Sequence, residues 1–203
     1  LAKSLGADAA LVVTPYYNKP TQAGLFEHYK TIACEAKFPL VIYNVPGRTG
    51  VNILPETVNR LSYLDNVVSV KEASGSITQS QEILAGCRSG FTVLSGEDAL
   101  TLPLYSIGVK GVVSVASNVA PAEMVELRRL FLSGDFRGAM DLQAKLYPLF
   151  RTLFIETNPQ PVKAALSILG FCGAAPRLPL VKAGDTTFTA LKEILKNLGL
   201  TGV

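Results

Sequence analysis

Short runs rich in valine and isoleucine recur between longer amphipathic stretches, and this alternation limits the chain to an α/β architecture. The runs cover residues 9–14, 40–45, 67–72, 91–95 and 111–117. They show little strict alternation of apolar and polar residues. A strand with one wet face would alternate, whereas a strand covered on both faces reads as a nearly continuous apolar run. Between the first two runs, Leu25, Phe26, Tyr29, Ile32 and Ala33 share one helical face, with Thr21 placed to cap the helix. Pro55 suits the first turn of a helix covering Val58 and Leu61. Two further helices are predicted over 78–85 and 99–107, the second stopped near Gly108. Strands starting every ~20–30 residues with helices between them are what parallel βαβ units require.

After Asn118 the strand pattern ends. Helices are predicted over 121–132, 135–155, 161–169 and about 187–198. Pro148 is expected to kink the long one, and Asp185 or Thr186 and Gly199 bracket the last. The expected division is residues 1–120, strands with their helices, and residues 121–203, a helical region. Two architectures fit the pattern: an open doubly wound sheet, or a (β/α)₈ barrel lacking its first units. Leu1-Ala2-Lys3-Ser4 has no signal-peptide layout and reads like the inside of a helix. That abrupt start favours the barrel lacking about its first three βα units, since such barrels need roughly 250 residues.

Composition removes several function classes. With 203 residues, 48% hydrophobic and 17% charged, the chain has the balance of a globular protein. A net charge of +3, spread along the chain, offers no basic stripe for nucleic acid. Apolar runs are strand-sized, so no membrane span is expected. Cys34, Cys87 and Cys172 are far apart, and the single histidine, His28, is expected on a helix surface. No metal site and no disulfide framework follow from such a set, which suits a reducing cytoplasm.

Lys71 is the sharpest chemical feature. It ends the run Val67-Val68-Ser69-Val70-Lys71-Glu72. Burial penalises an ammonium, and a lysine held as the free amine can attack a ketone to form an imine. The alternative is a strand-end lysine that snorkels to solvent. Side-chain parity puts Ser69 and Lys71 on one face, Val68 and Val70 on the other. Tyr16, Tyr17 and Asn18 follow the first run, and Tyr43, Asn44 and Arg48 end and follow the second. Glu97 and Asp98 come after the fourth, and Ser117 and Asn118 end the fifth. These are carboxyl ends of strands, where (β/α)₈ barrels build their sites.

Six blocks carry a resemblance, in order and with matching spacing along essentially the whole chain. They are Val13-Thr14-Pro15-Tyr16-Tyr17-Asn18-Lys19-Pro20, Tyr43-Asn44-Val45-Pro46-Gly47-Arg48-Thr49-Gly50, Val70-Lys71-Glu72-Ala73-Ser74-Gly75, Leu94-Ser95-Gly96-Glu97-Asp98, Gly111-Val112-Val113-Ser114-Val115 and Asn158-Pro159-Gln160-Pro161-Val162-Lys163. The chain resembles the dihydrodipicolinate synthases, pyruvate-dependent class I aldolase-type lyases of the N-acetylneuraminate lyase family. The resemblance implies a (β/α)₈ barrel with a C-terminal helical region. It implies condensation of pyruvate with aspartate semialdehyde to 4-hydroxy-tetrahydrodipicolinate, the first committed step of diaminopimelate and lysine biosynthesis, without metal or cofactor.

It also implies roles. Lys71 forms the imine with pyruvate, Tyr43 relays protons, and Tyr17 completes the relay in a neighbouring subunit of a homotetramer built as a dimer of dimers. Arg48 holds the carboxylate of aspartate semialdehyde, and Gly96 and Val113 line the pyruvate side. Tyr16 matches a position of the lysine feedback site. A Thr-Thr pair expected of the family after an early strand has no counterpart, since Thr186-Thr187 lies near the C-terminus. Asn44, Thr49 and Glu72 are expected in structural roles, and Glu97 with Asp98 at a helix start. Two rivals remain: a sister pyruvate aldolase acting on N-acetylneuraminate or a keto-deoxy sugar acid, and a non-catalytic barrel remnant. The arginine of Gly47-Arg48-Thr49-Gly50 argues against the first, because a neutral sugar chain does not call for it.

Overall fold

In the computed structural model, which describes residues 1–200, the apolar runs become five parallel strands: β1 Ala10–Val13, β2 Leu40–Asn44, β3 Val67–Glu72, β4 Thr92–Ser95 and β5 Gly111–Val112. The helices that follow are α1 Gln22–Ala36, α2 Pro46–Thr49, α3 Pro55–Leu61, α4 Ile77–Gly86 and α5 Thr101–Ser106. The strands are ordered β1-β2-β3-β4-β5, in chain order without a reversal. A doubly wound sheet requires a switch point where the order reverses. That alternative is therefore not met. One face of the sheet, carrying Leu40, Ile42, Val70 and Val93, packs in a single core with Leu25 and Tyr29 of α1, Val58 and Leu61 of α3, Ile83 of α4 and Leu104 of α5. Val41, Tyr43, Lys71 and Leu94, on the opposite face, are only partly buried.

Local chemistry explains the helix starts. The Thr21 hydroxyl accepts from Gly24 N at 3.3 Å, and the Ser76 hydroxyl from Gln79 N at 3.1 Å, each occupying an amide that the helix leaves unpaired. Tyr29 is fully buried, and its hydroxyl donates to the Val12 carbonyl at 3.0 Å; burial pushes the phenol far up from its ordinary range. His28 is half-buried rather than on the open surface, packed edge-on against the Tyr29 ring at 5.3 Å.

Three expectations need correction. The run 111–117 supplies only a two-residue strand, after which Ala116–Asn118 forms a 3-10 turn. The Ser114 hydroxyl accepts from Ser117 N at 2.8 Å, so a side chain takes the amide that a strand would have used. Ser117 and Asn118 therefore do not end a strand. The parity of β3 breaks at its start: Val67, not Val68, joins Val70 in the core. The cause is a register shift at Leu40/Val41, where Leu40 pairs with Val67 and Val41 with Ser69, a bulge that inserts one residue. Residues 46–49, for which no element was expected, form the helical turn α2, with Pro46 at its start and Gly50 ending it at φ 72°. Residues 1–4 were expected to lie inside a helix, and the chain makes only a 3-10 turn at Lys3–Leu5, ended by Gly6.

The chain gathers into two compact units, Leu1–Val113 and the segment from Ser114 onward. The second holds α6 Pro121–Leu132, α7 Phe136–Thr152, α8 Gln160–Ile168 and α9 Asp185–Leu198, close to the predicted helices. The helix α7 runs through Pro148 and buries Leu146, Leu149 and Phe150, the i, i+3, i+4 stripe of one face. Leu191 and Leu195 repeat that spacing on α9. Among the described residues, no helix is long and apolar enough to cross a membrane.

Glu156 anchors the start of α9. One of its oxygens accepts from Gly184 N at 3.0 Å and from the Thr187 hydroxyl. These bonds, the Thr187 bond foremost, hold its carboxyl below the ordinary 4.5. A depressed carboxylate contributes stability that is present above its unfolded value and lost as pH falls through the folded one. Glu156→Gln is therefore expected to lower the melting temperature at pH 7. It should also flatten the loss of stability below about pH 4.5, measured by thermal melts over pH 3–8. Equal melting temperatures of variant and parent at pH 7 would remove this role.

Candidate active site

The carboxyl ends of the strands are stitched together by backbone bonds. Thr14 N donates to Tyr43 O at 3.0 Å, Ala73 N to Asn44 O at 2.9 Å, Gly96 N to Glu72 O at 2.7 Å and Val113 N to Ser95 O at 2.8 Å. Each strand end is thus fixed to the one before it, and the residues singled out from the sequence stand along a single edge. Tyr43 and Lys71 are register partners on adjacent strands. Equal height and equal parity bring their side chains together on the partly open face. The Lys71 Nζ lies 3.9 Å from the centroid of the Tyr43 ring. At that distance the ring face attracts an ammonium, which holds the amine beside the aromatic ring. Lys71 is half-buried, not enclosed as its apolar run suggested, because the inner face of the sheet carries no covering element of this unit.

Gly96 meets Lys71 directly. A Cβ at position 96 would stand 2.5 Å from the Ala73 Cβ and 3.1 Å from the Lys71 Cε, so any side chain there would collide with Ala73 and crowd the lysine. Val113, 40% exposed, follows β5 and bonds to the residue before Gly96. Lys71, Tyr43 and Gly96 therefore form one cluster, with Val113 at the next strand end.

Arg48 sits on the exposed last turn of α2, four residues beyond the end of β2. Its turn is held by Thr49, whose hydroxyl lies 3.2 Å from the Val45 carbonyl and 3.0 Å from the Val51 carbonyl and accepts from the Thr14 hydroxyl at 3.3 Å. Thr14 ends the first strand run, so the same contacts join the Arg48 turn to the tyrosine loop. Gly50 adds a second joint, since a Cβ there would meet the Lys19 side chain at 2.8 Å. Tyr16 and Tyr17 are 68% and 93% exposed, and Tyr17 has φ 70°, a left-handed conformation that bulky residues adopt rarely. Neither tyrosine ring is brought to Lys71 within this chain, and Tyr17 points its side chain to solvent.

Glu97 and Asp98 stand at the start of a 3-10 turn, Asp98–Leu100, that leads into α5. Burial, and then the charge of Asp98, push the Glu97 carboxyl up from its ordinary value. Among the described residues, no three side chains of metal-ligating type come together, and Cys34, Cys87 and Cys172 are free thiols. The sequence reading missed Gln79, which bonds to Glu72, and Asn52, which bonds to Gln79 and Asn44. A signal existed: Ser76 and Gln79 have capping-box spacing. The glutamine, however, turns away from Ser76 toward Asn52 and Glu72.

Fold and cluster together define an α/β protein with an amine held against a tyrosine at the carboxyl edge of a parallel sheet. The chain belongs to the Dihydrodipicolinate synthetase family, whose model matches residues 1–198. It is 51% identical over 201 residues to the 4-hydroxy-tetrahydrodipicolinate synthase of Syntrophus aciditrophicus, covering 99% of this chain and 69% of that one. The crystal structure of dihydrodipicolinate synthase from Thermotoga maritima superposes with a TM-score of 0.96 at 50% identity, over 98% of this chain and 69% of that one. The Acinetobacter baumannii dihydrodipicolinate synthase complexed with pyruvate superposes at 0.94 with 42% identity, over 98% of this chain and 69% of that one.

Proposed function

We propose that this chain carries out the Schiff-base condensation of pyruvate with aspartate semialdehyde to 4-hydroxy-tetrahydrodipicolinate, using Lys71 as the imine lysine. The observation that carries the assignment is the Lys71 Nζ, 3.9 Å from the centre of its register partner's ring, at the carboxyl edge of the sheet. In this reading the five strands are consecutive strands of a (β/α)₈ barrel. Residues 1–120 supply strands and covering helices, and residues 121–203 the helical region, of which 201–203 lie outside the described residues. The partly open face bearing Lys71 is then the barrel interior, where such folds place their chemistry.

The steps follow from the residues. The Lys71 amine adds to the pyruvate ketone, and loss of water gives an imine, with Tyr43 moving the protons. Loss of a methyl proton gives the enamine, whose carbon attacks the aldehyde of aspartate semialdehyde. The planar fork of Arg48 suits the carboxylate of that aldehyde. The amine of the condensed chain then displaces Lys71, closing the six-membered ring and restoring the free lysine. Gly96 and Val113 border the pyruvate end. The exposed, left-handed Tyr17 suits a residue that completes a neighbour's site, which calls for an oligomer, a homotetramer by family resemblance. Tyr16 beside it would serve a lysine feedback site. A cytoplasmic location fits free thiols and a small-metabolite reaction.

The test is a product assay on the full chain with pyruvate and either aspartate semialdehyde or N-acetylmannosamine, read by mass spectrometry. The cyclic dicarboxylate is expected with the first aldehyde only. Turnover with the sugar alone would transfer the chain to the sister aldolases, and turnover with neither would leave no support for an enzyme.

A further inference from the structure

On the other side of the sheet from Lys71 and Tyr43, their chain neighbours form a buried polar network. Glu72 follows Lys71 and Asn44 follows Tyr43, and the two are also register partners. Glu72 is 3% exposed and Asn44 0%. Among the described residues no lysine or arginine pairs with this buried carboxylate; instead its two oxygens face donors only. Oε1 accepts from Ser74 N at 2.6 Å, Oε2 accepts from Gln79 Nε2 at 3.1 Å, and Asn44 Nδ2 lies 3.2 and 3.0 Å from the pair. Asn44 Nδ2 also donates to Asn52 Oδ1 at 2.7 Å, and Gln79 Nε2 to the same oxygen at 3.1 Å. Asn52 Nδ2 donates back to Gln79 Oε1 at 2.8 Å.

The orientations are not free. Asn44 Oδ1 accepts from the Ile53 backbone amide at 3.2 Å, so its NH₂ group must face Glu72 and Asn52. Gln22 of α1 ties in the rim, donating to Asn52 O at 2.8 Å and accepting from Leu54 N at 3.0 Å. The network therefore joins the ends of β2 and β3 to α1, to α4 and to the segment 52–54. A buried polar cluster of this kind is costly when incomplete and rigid when complete. Hydrophobic packing alone would hold the same strands with less directional control, because apolar contacts are non-directional.

We infer that Glu72 and Asn44 are positioning residues for Lys71 and Tyr43: their network, on the far face, sets the height and separation of the two strand ends and so holds the amine at the ring. This rests on the assignment of Lys71 above. It departs from a merely structural role because it ties the rate of imine formation, not only stability, to the far face. A displacement of about 1 Å at a reacting group is enough to slow a reaction ~100-fold.

Glu72→Gln is the sharpest variant. It keeps the volume but puts an NH₂ against donors that both oxygens now satisfy. The measurement is the rate at which pyruvate becomes trapped on Lys71 by borohydride, followed by peptide mass at a temperature below both melting transitions. Circular dichroism is recorded alongside. We expect native dichroism, labelling still at Lys71, and a trapping rate lower by roughly 10- to 100-fold. A folded Glu72→Gln protein that traps pyruvate at the parent rate overturns the inference and leaves the Lys71 assignment intact. A parent protein that is not labelled at Lys71 overturns the assignment and the inference with it. If Glu72→Gln does not fold, Asn52→Ala decides, since Asn52 is only partly buried: folded with slower trapping supports the positioning role, and folded with parent trapping ends it.

Discussion

Replacing Lys71 by arginine is expected to abolish covalent capture of pyruvate and to reduce turnover by more than about 10³-fold. Arginine keeps the positive charge and reaches slightly further than lysine, and on the partly open face its guanidinium can still lie over the Tyr43 ring, so folding should survive. It cannot form the imine, because it presents no free amine. The parent protein, treated with pyruvate and borohydride, should gain one lactyl-sized mass on the peptide containing Lys71. The variant should gain none and should melt within a few degrees of the parent. Labelling at another lysine, such as Lys110 or Lys163, or undiminished labelling in the variant, would sink the assignment. This is the most direct measurement because it reads the bond itself, not a rate that several residues share.

The second large effect belongs to Tyr43. Tyr43→Phe removes one hydroxyl and keeps the ring that lies 3.9 Å from the lysine amine. Ring contact, strand register and the far-face network should therefore persist. What is lost is the group assigned above to move protons as water leaves the carbinolamine. General acid–base groups of this kind contribute typically ~10²- to 10⁴-fold. The expected outcome is a kcat lower by that range with the KM for pyruvate changed little, since few binding contacts are removed. Lys71 should still be labelled, only more slowly. Steady-state kinetics and the time course of trapping separate these cases. A kcat within twofold of the parent would show that the hydroxyl carries no proton and that the ring serves only to hold the amine. A KM raised with kcat unchanged would instead make Tyr43 a binding residue.

These two variants, with Glu72→Gln, divide the site by face. Lys71 and Tyr43 stand on the partly open face, and Glu72 and Asn44 on the face covered by helices. Because side chains alternate along a strand, consecutive residues can serve chemistry and its support at once. That economy explains why the motifs Tyr43-Asn44 and Lys71-Glu72 each pair an inner with an outer residue.

Much of this protein was legible along the chain. Valine-rich runs without alternation named the strands, although within this unit only the helix-facing side of the sheet is fully covered. Thr21, Pro55 and Gly199 marked helix ends, since orphaned backbone groups demand such residues locally. The end of the run 67–72 singled out Lys71, and six ordered blocks supplied the family. What required the tertiary structure was everything set by pairing between distant segments. The bulge at Val68, opposite Leu40 and Val41, put Val67 and not Val68 in the core, because register depends on the partner strand and not on the run itself. The fifth strand stops after two residues, and beyond it the Ser114 side chain takes the Ser117 amide at the 3-10 turn that follows. The strand order, which no periodicity encodes, excluded the doubly wound sheet. Glu72, Asn44, Asn52 and Gln79 lie up to 35 positions apart, and polar residues at such separations have no common period to betray them. Only the folded sheet, by bringing those positions to one buried layer, turns them from ordinary loop and strand polars into the support of the lysine and the tyrosine on its other side.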